Sequence, residues 1–420
     1  MRPIPICALA VLVLGALSVP AARAQDDDYY ISVPSFGAIM RVDALTGNAT
    51  SFVAGMGVPF YGVWADDGNL YMPDRSLGVV FRVSPTGVAS ALTAGGFLQS
   101  PITAVLAPEG ALIVSDLFLG TIVHVDAAGH QTLLADEASS GGLLANPGGL
   151  AMGPDGLVYV SNNENDTVVR LDPATGVVEP VSDGGGLLND AGGIVVDNAG
   201  NAYVANYSGD SITRILLETG EARMFCDDPF MNSPNDVRLA PQGGLHVTMK
   251  NSALVHIDVR GQLTLLHQDQ GFGAYDGVAL KAYRTPCSGA FVPYGTGLAG
   301  TGGFVPRLGG LFAPCPGTTA AIEMEDIKGG AFGSLAWGLS PWAVPFKQGQ
   351  LLVDISPPGG LIPLAFPGVG PGGGALTLDF TLPDTAALTG LSIHLQVLVA
   401  DPGAPAGVAM SNGLQERIGG

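Results

Sequence analysis

One pattern recurs six times along the first two thirds of the chain, and it constrains the fold more than any other feature. An apolar strand is followed by a polar turn, a second strand ending in a basic residue, and a turn closed by Gly. The copies read YISVPSFGAIMRVDALTG, YMPDRSLGVVFRVSPTG, LIVSDLFLGTIVHVDAAG, YVSNNENDTVVRLDPATG, YVANYSGDSITRILLETG and LHVTMKNSALVHIDVRG. Their basic residues, Arg41, Arg82, His124, Arg170, Arg214 and His256, stand 41, 42, 46, 44 and 42 residues apart. A further short apolar strand lies between successive copies: YGVWADDGN, ITAVLAPEG, GGLAMGPDG, GGIVVDNAG, NDVRLAPQG and DGVALKAY. A period in the low forties with several strands per repeat is that of a propeller blade. The first copy has no such strand before it, and the last is followed by an extra one, Asp276–Leu280. That strand is expected to complete the first sheet and close the ring, which removes exposed sheet edges. The expectation is an all-β chain: a six-bladed β-propeller over residues 25–284, followed by a small antiparallel β-sandwich over 285–420.

The chain holds 62 Gly and 31 Pro, a level that in some chains signals disorder. Here they accompany 47% hydrophobic residues, so they read as turns between buried strands. Residues 1–24 read as a secretory signal. Arg2 precedes the apolar run Ile4–Val19, and Ala21-Ala22-Arg23-Ala24 offers a small-residue cleavage site before Gln25. The run is short for a bilayer span, so no transmembrane anchor is expected. Export to the periplasm, cell surface or medium follows, with Asp26–Asp28 as a loose leader. The formal charge of −20 disfavours nucleic acid and anionic membranes as partners. It leaves cations, cationic groups and neutral ligands. Of the cysteines beyond the signal, Cys287 and Cys315 bracket one Gly-rich stretch and are the expected disulfide pair. Cys226 is left as a small buried hydrophobe.

From Thr285 the charges thin out and Gly and Pro rise. AAIEMEDI, SLAWGLS, LLVDIS, ALTLDFTL and LSIHLQVLVAD alternate with Pro/Gly turns, as strands of a sandwich would. Tyr294-Gly295-Thr296-Gly297, Leu395-Gln396-Val397 and the ending Ser411-Asn412-Gly413-Leu414 resemble the C-terminal domains of secreted planctomycete-type proteins. That resemblance implies no activity.

In the repeats, Pro147-Gly148-Gly149-Leu150-Ala151 with Pro154-Asp155-Gly156, and Ser233-Pro234-Asn235-Asp236-Val237, resemble the NHL-repeat and SMP-type, gluconolactonase-like propellers. The resemblance covers about residues 28 to 284. It implies a site where the inner strands converge on the central channel. Aligning those strands puts Tyr61, Gly148, Gly192, Asn235 and Asp276 at one level, with Thr103 less securely placed. Gluconolactonase-like enzymes hold a divalent cation at this level, and Asn235 and Asp276 match that pattern, with Asp276 as the catalytic carboxylate. The other inner strands offer Gly and no Glu, which is thin for Ca²⁺ or Mg²⁺. His124 and His256 occupy the repeated basic position and read as repeat features, while His130, His246 and His394 show no obvious partner. Asn162–Asp166 reads as a solvated turn. GTGLAG and GVGPGG match a dinucleotide motif by letters only, outside any βαβ unit. Three functional readings remain. The leading one is a monomeric, non-catalytic binding or scaffold propeller, taking an unknown protein or small molecule on its face and needing no cofactor. The alternative is a lactonase- or lyase-like enzyme dependent on Ca²⁺ or Mg²⁺. A structural envelope protein is the third.

Overall fold

The computed structural model describes residues 28–44, 46–268, 275–280 and 288–420. The expected signal segment and Cys287, with its expected bond to Cys315, lie outside them. No helix among the described residues is long and apolar enough to cross a membrane. The chain parts into two compact units between residues 284 and 285.

The first unit contains six four-stranded antiparallel sheets among the described residues. Sheet I joins Val278–Leu280 to Tyr29–Val33, Ala38–Val42 and Ala49–Val53. Sheet II holds Val63–Trp64, Leu70–Asp74, Val79–Val83 and Ala89–Ala94. Sheet III holds Pro101–Leu106, Leu112–Asp116, Thr121–Val125 and Gln131–Ala135. Sheet IV holds Pro147–Met152, Val158–Asn162, Thr167–Leu171 and Val178–Ser182. Sheet V holds Ala191–Val196, Asn201–Asn206, Ser211–Leu216 and Ala222–Cys226. Sheet VI holds Pro234–Leu239, Leu245–Met249, Ala253–Ile257 and Leu263–Gln268. Sheet I is discontinuous in sequence, as the offset in the repeat predicts. Tyr29, Tyr30 and Ile31 pair with Leu280, Ala279 and Val278.

Burial explains why the strands read as near-continuous apolar runs rather than alternating ones. The second strand of sheets I, II, III, IV and VI is buried at every position, because both of its faces pack on a neighbouring sheet. Sheets III and IV meet through Ile113, Ile122, Leu150, Val160 and Val169. The last sheet meets the first through Leu254 against Ile31, Val33, Met40 and Val278, with Tyr275 in the same cluster. The fourth strands are half-buried to exposed, Ala89–Ala94 the most open. Cys226 ends one of them as a free, buried thiol.

The Gly closing each repeat has a structural reason. Gly129 sits at φ 90°, and a Cβ there would lie 2.2 Å from the Leu92 carbonyl oxygen of the preceding sheet. The turn thus needs both the left-handed backbone and the missing side chain. The repeated basic residue lies beside the second strand: Arg82 pairs with Tyr71, Arg170 with Tyr159 and Arg214 with Tyr203. Asp28 is no loose leader. It is buried, its carboxylate accepts from Arg41 Nε, and it ties down the start of the first strand.

The second unit forms three antiparallel sheets. A five-stranded sheet runs in the order Ala290–Tyr294, Val408–Arg417, Ser392–Ala400, Phe332–Gly338, Gly360–Ala365. A three-stranded one runs Arg307–Leu311, Thr319–Ile327, Gly374–Thr381, and Pro341–Phe346 pairs with Gly349–Val353. Two amides, Gln396 buried and Asn412 half-buried, pin these sheets together. Gln396 accepts from Leu352 N–H at 2.9 Å and donates to the Gln350 and Ser411 carbonyls at 3.0 and 3.1 Å. Asn412 accepts from Leu308 N–H and donates to the Leu308 carbonyl, at 2.9 and 3.0 Å. Buried amides are tolerated when satisfied in this way. The motifs quoted around Gln396 and Asn412 therefore have a structural use.

Candidate functional site at the inner ends of the sheets

The antiparallel order puts two connections at one end of every sheet: the loop entering the first strand and the turn between the second and third. Backbone bonds tie them together. Arg75, Leu117, Asn163, Tyr207 and Lys250 N–H donate to the carbonyls of Val58, Ser100, Asn146, Asp190 and Ser233 at 2.9–3.2 Å. The residue just before each turn reinforces this. Asp74 accepts from Gly57 and Val58 N–H, and Asp116 from Gln99 and Ser100 N–H. Asn162 accepts from Ala145 N–H. Asn162 is fully buried, so the reading of 162–166 as a solvated turn fails at its first residue.

At this end the first strands converge. Tyr61 bridges to Thr103, so Thr103 shares its level. Thr103 Oγ1 donates to the Gly148 carbonyl at 2.7 Å, and Ser161 Oγ donates to the Gly192 carbonyl. Tyr61 from sheet II reaches the Asn235 carbonyl of sheet VI with its hydroxyl at 3.2 Å. Asn235 Nδ2 donates to Asp276 Oδ1. Gly148, Thr103, Tyr61, Asn235 and Asp276 are thus linked in one series, and Gly192 is held beside it through Ser161. Strand convergence leaves little room: a Cβ on Gly149 would lie 2.6 Å from the Gly192 carbonyl oxygen. The Gly-Gly pairs that look empty of chemistry are where neighbouring backbones touch.

Asp276 holds the chemistry at this level. Burial pushes its carboxyl up to about 7, against the charges of Arg75 and Lys250 and the hydrogen bond from Asn235. Its backbone is fixed by Thr248 Oγ1, which donates to the Asp276 carbonyl at 2.9 Å. Arg75 lies 5.6 Å from the Phe60 ring and Lys250 5.3 Å from the Tyr207 ring. Neither cation forms an ion pair within the described residues. Asp236 is buried behind this group; its carboxylate accepts from Arg238 Nε and Val278 N–H, both at 3.1 Å, and is structural.

The metal expectation meets a donor set of two. Asn235 turns its amide nitrogen, not its oxygen, to Asp276, and two cations act on the carboxylate. Among the described residues no three His, Cys, Asp or Glu side chains are grouped to hold a metal. Arg75 and Lys250 escaped the sequence reading. They fill the column just after the second strand, where the other repeats have Pro34, Leu117, Asn163 and Tyr207. A repeated position with changing chemistry was the available signal.

The histidines lie elsewhere, and Nδ1 of His246 and of His256 is buried without a hydrogen-bond partner among the described residues. His130 Nδ1 is 2.9 Å from Asp126, His394 Nδ1 3.3 Å from the Tyr294 hydroxyl, and His246 Nε2 3.3 Å from Gln242 Nε2. His246 pairs across the sheet with His256, their rings 5.3 Å apart, where four other repeats set Tyr beside Arg. Burial pushes His246 down to about 3, aided by His256.

No family model matches the chain, and no curated protein does. Among solved structures, a chain of the nidogen/laminin complex is 15% identical and superposes with a TM-score of 0.53. It covers 61% of this chain and 99% of its own. Virginiamycin B lyase from Staphylococcus aureus is 14% identical with a TM-score of 0.49, covering 62% of this chain and 90% of its own. A gluconolactonase from Xanthomonas campestris is 17% identical with a TM-score of 0.48, covering 63% and 91%. The first of these likenesses speaks to fold and not to activity. The chain is all-β, and the part that superposes has the β-propeller fold.

Proposed function

We propose that the six sheets are the six blades of one closed propeller, that residues 285–420 form a small sandwich, and that the chain is an exported monomer whose work is binding. The ligand site is the channel mouth around Asp276, Asn235, Arg75 and Lys250. The observation that carries this reading is the pair of cations, without an ion pair among the described residues, acting on one part-buried carboxyl in an otherwise acidic chain. Such a set offers charge and hydrogen bonds to a polar small molecule with an anionic group, and aromatic faces at Phe60 and Tyr207. The rival reading, a Ca²⁺- or Mg²⁺-dependent lactonase or lyase with Asn235 and Asp276 as ligands, draws on the carboxyl being poised near 7, where a general acid or base works well.

Calorimetric titration separates the two. The binding reading expects small polyanionic carboxylates to bind the wild type and to lose at least tenfold in affinity, about 1.4 kcal/mol, in Arg75→Ala and Lys250→Ala. It expects no uptake of Ca²⁺, Mg²⁺ or Mn²⁺ that depends on Asp276. One cation per chain, lost in Asp276→Ala, would overturn it in favour of the enzyme.

A further inference from the structure

The same end of the ring is sharply divided in chemistry outside the channel mouth. On sheets I to III its turns and loops expose Phe36, Leu77, Phe97 and Phe118, with 57, 53, 41 and 76% of their surface open. The carboxylates there, Asp74 and Asp116, are buried and spent on backbone N–H groups. From residue 136 to 228 the rim turns acidic, with Glu137, Glu164 and Asp210 exposed. At the join is an open hollow of about 450 Å³, lined by Leu119, Asp136, Glu137, Ala138, Gly141 and Gly142.

The hollow is built, not loose. Phe118 and Leu119 N–H both donate to buried Asp116, which fixes how Phe118 stands out. Ser140, Gly141 and Gly142 N–H bond back to Asp136, Ala138 and Glu137 carbonyls at 3.0, 3.2 and 2.8 Å. Ser139 N–H holds one oxygen of Asp136, and those hydrogen bonds keep its carboxyl below the usual range. Glu137 is exposed and makes no ion pair among the described residues. Exposed aromatic side chains presented along one rim mark an interaction surface. The acidic edge selects the sign of what comes to it.

We propose that this rim docks a basic protein segment in which Lys or Arg alternates with apolar side chains. A cationic side chain enters the hollow between Asp136 and Glu137, and its apolar neighbours cover Phe118, Phe97 and Leu77. This surface shares no residue with the Asp276 mouth, so the two readings stand or fall apart.

Fluorescence anisotropy on the full mature chain tests it, with a short labelled peptide of alternating Lys and Leu or Phe. Saturable, salt-sensitive binding is expected, weakened about tenfold in Glu137→Lys and in Phe118→Ser. Phe97→Ser is a second apolar variant should Phe118→Ser melt early. Lack of binding overturns the proposal. So does equal binding of a Lys–Ser peptide, which would be bulk attraction to an acidic chain, or an affinity indifferent to all three substitutions. Concentration-dependent dimers that vanish in Phe118→Ser would overturn it too, by assigning the rim to a second copy.

Discussion

At the scale of single residues, two ionisable groups make stability depend on pH in opposite ways. Asp276 has its carboxyl raised to about 7 in the fold, chiefly by burial, against 3.8 in the unfolded chain. The folded state therefore keeps a proton that the unfolded state releases, and the associated stability is present below pH 3.8 and lost as pH rises toward 7. Asp276→Asn should flatten that slope, so melting curves at pH 5 and pH 8 should differ less than in the wild type. An unchanged difference would show that the carboxyl is solvated. His246 runs the other way. Its folded value is about 3 and its ordinary value 6.5, so it stays neutral in the fold and is driven to ionise on unfolding in acid. The stability it contributes is full above 6.5 and declines as pH falls toward 3. Burial sets this, with the charge of His256 adding to it; Gln242 and the Tyr29 ring at 5.1 Å also face the imidazole. His246→Phe should hold its melting temperature better than the wild type between pH 6 and 4, followed by circular dichroism.

At the scale of elements, the turn that follows each second strand is the joint of the architecture. Asp116 shows why. Its two oxygens take Gln99 and Ser100 N–H at 2.6 and 2.5 Å, and Phe118 and Leu119 N–H at 3.1 and 2.8 Å. Asp116→Ala strands several buried donors and should cost about 3 kcal/mol in chemical denaturation, while Asp116→Asn, which keeps an acceptor, should cost less. The closing glycine of each repeat is the matching joint at the opposite end. Gly129→Ala meets both a left-handed backbone and the Leu92 carbonyl, and should cost about 2 kcal/mol. A neutral result at either position would mean the turns relax more freely than their hydrogen bonds suggest.

At the scale of the whole molecule, the strand Val278–Leu280 holds the beginning of the first unit to its end. Ser32 N–H donates to the Gly277 carbonyl at 2.9 Å, Asp276 N–H to the Ser32 carbonyl at 3.2 Å, and Gly277 N–H to Ser32 Oγ at 2.7 Å. Val278 is fully buried between the last sheet and the first. Val278→Asp places a charge in that seam and should cost about 4 kcal/mol or more. Hydrogen exchange should then rise first in Tyr29–Val33 and in sheet VI, the two partners of the seam. Uniform acceleration over all six sheets would instead indicate that the ring unfolds as one unit whatever its seam.

The first three strands of each sheet, their order and the offset that pairs residue 31 with residue 278 were legible in the sequence, because each repeat encodes its own hairpins through local patterning and turn glycines. The level of Asn235 and Asp276 was legible for the same reason: equivalent positions in equivalent strands arrive at equivalent heights. Which side chains act on that level was not. Arg75 and Lys250 stand 201 and 26 residues from Asp276 in sequence, and burial and charge at Asp276 depend on distances that patterning does not contain. The same holds for the glycines of sheets IV and V, which read as missing ligands and prove to be contacts between backbones. Periodicity carries the local geometry of a repeat; only the packed ring decides which of its copies face one another and how much water is left between them.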